Sequence, residues 1–136
     1  MLREFISRIS YWRKVNRIGP DIPYTHWKLY FKGTMQALCC KQFKYFGAGA
    51  DFRPGAYAEC CENISLGARV VVRPGSFIYA DQTPEGTITI EDDVLLGSGV
   101  HIYVNNHRFD SAPGPIATKG YFVSEPVLLK SGCWIG

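Results

Sequence analysis

The chain has 136 residues, 46% of them apolar and 20% charged, with a net charge of +3, which suits one soluble domain with a continuous core. No apolar run approaches membrane-spanning length, and residues 1–20 lack the long uncharged segment of a secretory signal. A cytoplasmic address is therefore the expectation.

The charge is unevenly spread. Residues 1–45 carry nine Lys or Arg against Glu4 and Asp21, a balance of +7, while the remainder carries six against ten, a balance of −4. The front of the chain is basic and the rest acidic. Five cysteines, an odd number without a signal sequence, argue against a disulfide framework. The adjacent pairs Cys39-Cys40 and Cys60-Cys61 lack the intervening residues that let two sulfurs face one ion, so they read as structural thiols.

Leu2, Phe5, Ile6, Ile9 and Trp12 lie at helical spacing among Arg3, Arg8, Arg13 and Lys14, which predicts a short amphipathic helix. Gly19-Pro20-Asp21-Ile22-Pro23 ends it. A second helical pattern runs from Thr25 through Trp27, Tyr30, Phe31, Thr34 and Leu38. Residues 1–45 are therefore expected to form a helical segment that caps the domain behind it. A basic surface resting on anionic lipid is the other use such a segment has.

From Phe46 onward, aliphatic or aromatic residues recur by sixes: Phe46, Phe52, Ala58; Leu66, Val72, Ile78; Ile90, Leu96, Ile102; Leu129, Ile135. Small residues stand two places earlier, at Ala50, Ala56, Val70, Ser76, Val94, Val100 and Cys133. Glycine stands three places later at Gly49, Gly55, Gly75, Gly99 and Gly132. A period of six fits neither a lone helix nor an alternating strand, but it fits a triangular coil with three short strands per turn. The predicted fold class is an all-β solenoid over residues 46–136, a parallel β-helix of about three and a half coils behind the helical segment.

Coil starts at Phe46, Leu66, Ile90 and Leu129 are 20, 24 and 39 residues apart, whereas three hexamers need 18, so the excesses are 2, 6 and 21. Each excess falls after the third strand of its coil, and the insertions should therefore gather along one edge, where a binding site is expected. The middle one begins at Asp81, and the largest is an extended loop over residues 108–127. Of the three histidines, only His107 stands at that edge, at the foot of the large loop. Asp81 either accepts hydrogen bonds from acceptor hydroxyls or is a solvated turn residue. Asn105 and Asn106 either fix the histidine and touch the acceptor or simply make the corner. Trp134 is either a wall of a donor groove or an aromatic packed between coils.

Asn106-His107-Arg108-Phe109, then Pro115-Ile116, Lys119-Gly120-Tyr121, Pro126-Val127 and Gly132-Cys133-Trp134-Ile135-Gly136, resemble the active-site region of the hexapeptide-repeat acyltransferases. The branch most similar is that of the sugar and polysaccharide O-acetyltransferases, such as the maltose and galactoside enzymes. The resemblance implies a left-handed β-helix, a homotrimer, acetyl-coenzyme A as co-substrate and His107 as general base, with no metal and no nucleic acid. Trp134 resembles the tryptophan that walls the thioester end of the donor groove, so Trp134 and Gly136 are the candidate donor contacts, and Asp81, Asn105 and Asn106 remain candidate acceptor contacts beside their plain turn readings.

Relatives in that family continue beyond Trp-Ile-Gly through further coils that line the donor groove. As it stands, the chain is therefore expected to be a shortened form that binds coenzyme A weakly and turns over slowly. Two alternatives keep the same coil: a non-catalytic scaffold, and a zinc-dependent hydratase similar to γ-carbonic anhydrase. The latter needs three converging histidines, whereas His101 and His107 stand on neighbouring corners.

Overall fold

The computed structural model describes residues 1–110 and 113–136. Ser111 and Ala112, part of the expected 108–127 loop, lie outside the described residues. Helix α1 (Leu2–Lys14) is followed by a short strand β1 (Arg17–Ile18), helix α2 (Pro23–His26), a 3-10 turn at Trp27–Tyr30 and helix α3 (Lys32–Gln42). The second helical pattern is thus broken. Phe31 adopts an extended conformation (φ −124°, ψ 123°) and resets the face that points inward. Leu29, Met35, Leu38 and Cys39 are buried there, while Trp27, Tyr30 and Phe31, expected on the packed face, are exposed.

Eleven further strands follow, each of two or three residues: β2 (Tyr45–Phe46), β3 (Asp51–Phe52), β4 (Tyr57–Glu59), β5 (Ile64–Leu66), β6 (Val71–Val72), β7 (Phe77–Tyr79), β8 (Ile88–Ile90), β9 (Leu95–Leu96), β10 (His101–Tyr103), β11 (Val127–Leu129) and β12 (Trp134–Ile135). They form three four-stranded sheets of order β11-β8-β5-β2, β12-β9-β6-β3 and β1-β4-β7-β10. All pairings are parallel except β1 with β4.

These elements correct the predicted fold class. Helix makes up about 28% of the chain and strand about 24%, so the fold is a mixed helical and sheet one with three separate four-stranded sheets, and not an all-β solenoid of the left-handed β-helix kind. Counting sixes overstates the sheet, because only two or three residues of each hexamer pair as strand and the rest are turn. It also treats as a preface a helical segment that supplies part of the core.

The residues that recur by sixes nevertheless pair with one another. Phe46 aligns with Leu66, Leu66 with Ile90, and Ile90 with Leu129; Phe52, Val72, Leu96 and Ile135 form a second row, and Ala58, Ile78 and Ile102 a third. Together with Ala50, Ala56, Val70 and Val94 they make one hydrophobic cluster, which Met35, Leu38, Cys39 and Phe43 join from the helical side. Phe43 packs on Phe46 and Phe52, with ring centroids 5.7 and 5.4 Å away. Burial pushes the Cys39 and Cys61 thiols well up, which keeps them unreactive as core residues.

The two Arg-Pro-Gly corners show how local chemistry sets the bends. Ala56 N–H donates to Arg53 C=O at 3.0 Å and Ser76 N–H to Arg73 C=O at 3.3 Å. Pro54 and Pro74 occupy the second turn position, while Gly55 and Gly75 take φ of +87° and +80° in the third. Proline there presets φ, and a left-handed third residue favours glycine. At the outer edge of the third sheet, β1 pairs Ile18 with Ala58 and covers β4 with a fully buried Ile18. Helix α1 buries no residue.

Candidate functional site

Three connections lead from the third sheet back to the first, and each carries one of the insertions counted in the sequence. Cys60, the stretch from Asp81 to Thr83, and the stretches from Asn105 to His107, from Tyr121 to Val123 and from Glu125 to Val127 come together around one open groove of about 1490 Å³. Its remaining wall is the outward row of the third sheet, Glu59, Tyr79 and Tyr103, which are in register with one another. The Tyr79 and Tyr103 rings stack face to face, 4.8 Å apart with 7° between planes.

The large insertion folds back on the strand that leads into it. His107 and Tyr121 form an antiparallel bridge. Phe122 N–H donates to Asn106 C=O at 2.9 Å, and Arg108 N–H donates to Gly120 C=O at 3.0 Å. Farther along, Glu125 N–H reaches Val104 C=O at 2.8 Å. This pairing holds the half-buried His107 from two sides. Its ring lies over that of Tyr121, with centroids 4.2 Å apart and 29° between planes. Asn106 Oδ1 accepts from the His107 backbone N–H at 2.9 Å and so fixes the corner. The imidazole Nδ1 is buried and has no hydrogen-bond partner among the described residues.

Asp81 centres a second cluster. Its Oδ2 accepts from Asn105 Nδ2 at 2.9 Å and from the Ser124 hydroxyl, and its Oδ1 accepts from the Thr83 backbone N–H and hydroxyl at 2.8 and 2.6 Å. Asn105 Nδ2 also reaches Ser124 Oγ at 3.2 Å. Burial pulls the Asp81 carboxyl up. The hydrogen bonds from Ser124, Thr83 and Asn105 outweigh that pull and hold it below the usual carboxylate range. Gly86, whose C=O accepts from Asp81 N–H at 3.1 Å, has no room for a side chain, since an added Cβ would collide with the Asp81 carboxylate.

The structure thus brings His107, Asp81, Asn105 and Asn106 to one groove. Trp134 and Gly136 do not line it. Trp134 lies in the second sheet, 71% exposed, with its ring against Gly136 and near Gly97. His101 projects from the third sheet against Phe77, centroids 4.6 Å apart, and is not in the groove. Among the described residues no group of three or more His, Cys, Asp or Glu side chains is gathered to hold a metal ion. No described helix is long and apolar enough to cross a membrane.

Comparison of the chain with protein-family models, with curated proteins and with solved structures finds no match.

Several lining residues lie beyond the sequence reading. Glu59, Tyr79 and Tyr103 each follow an inward residue of the third row by one position, so the period of six does place them outward beside the insertions. The return of the large loop brings Tyr121 to the lining and the buried Ser124 onto Asp81 behind it, and no spacing announces that return.

Proposed function

We propose that the protein is an O-acetyltransferase that moves an acetyl group from acetyl-coenzyme A to a hydroxyl of a sugar or polysaccharide precursor, with His107 as general base. What carries this reading is that an imidazole and a polar set, Asp81, Asn105 and Asn106, share one groove, with Asp81 and Asn105 fixed from behind by the buried Ser124. The order of motifs around His107, which resembles that of the sugar O-acetyltransferases, is consistent with it.

The chemistry follows from what the groove offers. A sugar hydroxyl is a weak nucleophile, and its attack on a thioester is eased when a neutral imidazole takes its proton as the C–O bond forms. A ring that takes the proton on Nε2 must carry its own on Nδ1, the nitrogen that is buried. Stacking on Tyr121 limits rotation of the ring, which keeps Nε2 aimed. The tetrahedral intermediate then collapses, the C–S bond breaks, and the imidazolium returns the proton to the departing coenzyme A sulfur. The products are an acetyl ester and free thiol, and nothing in the sequence of steps needs a metal.

Asp81 is held ionised by donors that engage both of its oxygens, so its part in acceptor binding is to fix Asn105 at the groove. The exposed Tyr103 ring, stacked on Tyr79 by one face, offers its other face to a sugar ring. Trp134 and Gly136 are proposed to meet the donor. In a homotrimer, which belongs to the same reading, that exposed indole face would adjoin a neighbouring subunit's groove.

The test is incubation with acetyl-coenzyme A and a panel of mono- and oligosaccharides, followed by mass spectrometry of the saccharide. Appearance of an ester-linked acetyl group, released by mild base, is the expected outcome. Failure to acetylate any saccharide at stoichiometric enzyme, or transfer only to amines, overturns the proposal.

A further inference from the structure

Helix α1 is an amphipathic helix that the fold does not use. Leu2, Phe5, Ile6, Ile9 and Trp12 share one face by their spacing. Yet Leu2 is 73% exposed, and Phe5 and Ile6 are each 59% exposed. Only Ile9 and Trp12, near the end that runs into the body, are half-buried. A helix kept merely to cap the sheets would bury this face, as α3 does with Met35, Leu38 and Cys39.

Arg3, Arg8 and Lys14 lie on the other faces of α1, and Arg13 ends the apolar stripe, four residues after Ile9. The one acidic residue, Glu4, is engaged with the N-terminal ammonium at 2.8 Å. Farther along the same segment, Tyr24, Trp27, Tyr30 and Phe31 are also exposed, with the Lys28 ammonium 5.1 Å from the Tyr24 ring centre. Exposed aromatic rings beside lysines are the composition of a water–lipid boundary, where the ring body sits in apolar surroundings and the cation at the headgroups.

We propose that residues 1–32 form a docking surface for an anionic lipid bilayer, with Leu2, Phe5 and Ile6 inserted at the headgroup–acyl boundary and the arginines and lysines on lipid phosphates. The charge complementarity selects this occupant. Residues 1–45 hold a balance of +7 while the rest of the chain holds −4, so an anionic surface attracts the front and repels the body, fixing which side meets the membrane. A second copy of the chain would bring the same positive charge against itself.

Vesicle flotation of the full 136-residue chain tests this. The chain should float with phosphatidylcholine vesicles containing about 30% phosphatidylglycerol, not with phosphatidylcholine alone, and should be released by high salt. The double variant Phe5→Ser/Ile6→Ser and the double variant Arg8→Glu/Arg13→Glu should each lower partitioning by about tenfold or more. Their melting temperatures should match the parent, because Phe5, Ile6, Arg8 and Arg13 are all exposed. Absence of flotation with the anionic vesicles, equal flotation with and without the anionic lipid, or unchanged flotation of both variants overturns the proposal. So does a parent oligomer that Phe5→Ser/Ile6→Ser converts to monomer with lipid binding intact, which would assign the face to a second copy.

Discussion

Asp81 shows how one side chain can shape a groove and also report on it. Two oxygens accept from three side chains and one backbone N–H, and Gly86 leaves the space the carboxylate occupies. Asp81→Asn replaces one acceptor oxygen with a donor that must face Asn105 or Thr83. It should cost about 1–2 kcal/mol in urea unfolding, the lower part of the range for hydrogen bonds to a charged group, because the site is half-open to water. The pH dependence has a definite sign. The folded carboxyl lies below its unfolded value of about 3.9, so its stabilisation is complete above that pH and is lost as pH falls through the lower, folded value. The stability gap between parent and variant should therefore be constant from neutral pH down to about pH 4 and close below it. A gap that stayed open at lower pH would mean that the ionised form is not what the cluster holds. At this scale, His107 was legible because a lone imidazole stood where the insertions converge. Ser124 was not, because its contact with Asp81 joins residues 43 apart through a loop of irregular path.

Among elements, β9 makes the alternation of the strands measurable. Leu95 and Leu96 are adjacent and chemically identical, yet Leu95 is 37% exposed and Leu96 fully buried between Val72 and Ile135. Leu96→Ala should cost about 2–5 kcal/mol and Leu95→Ala about 0.5 kcal/mol or less, measured by the same unfolding assay. Similar losses at both positions would contradict the register. That register was readable in advance, since hydrophobic residues six apart are the ones that pair, and the glycines three places on at Gly55 and Gly75 do take positive φ. The helical segment was read less well. Trp27, Tyr30 and Phe31 look like a packed face on a continuous helix, but the extended conformation of Phe31 starts a new helix whose buried residues are Met35, Leu38 and Cys39. Periodicity cannot register such a break, because it assumes one unbroken screw.

Over the whole molecule, the fold class is where letters alone mislead. A repeat of six describes inward positions well and says little about how much of each hexamer is strand, so it pointed to an all-β chain where helix slightly exceeds strand. The site survives that correction, because it depends on where the insertions leave the third sheet and not on the class of fold. The basic front and the acidic remainder give the molecule a charge polarity, while the groove between the insertions gathers His107, Asp81, Asn105 and Asn106. The most direct measurement is the rate of thiol release from acetyl-coenzyme A, with a responsive saccharide, for the parent and for His107→Gln. General-base catalysis by His107 requires the variant to lose about a hundredfold to ten-thousandfold in kcat while its coenzyme A affinity and melting temperature stay unchanged. A variant that kept its rate within about threefold would remove the imidazole from the chemistry, and with it the assignment of this groove as an acyl-transfer site.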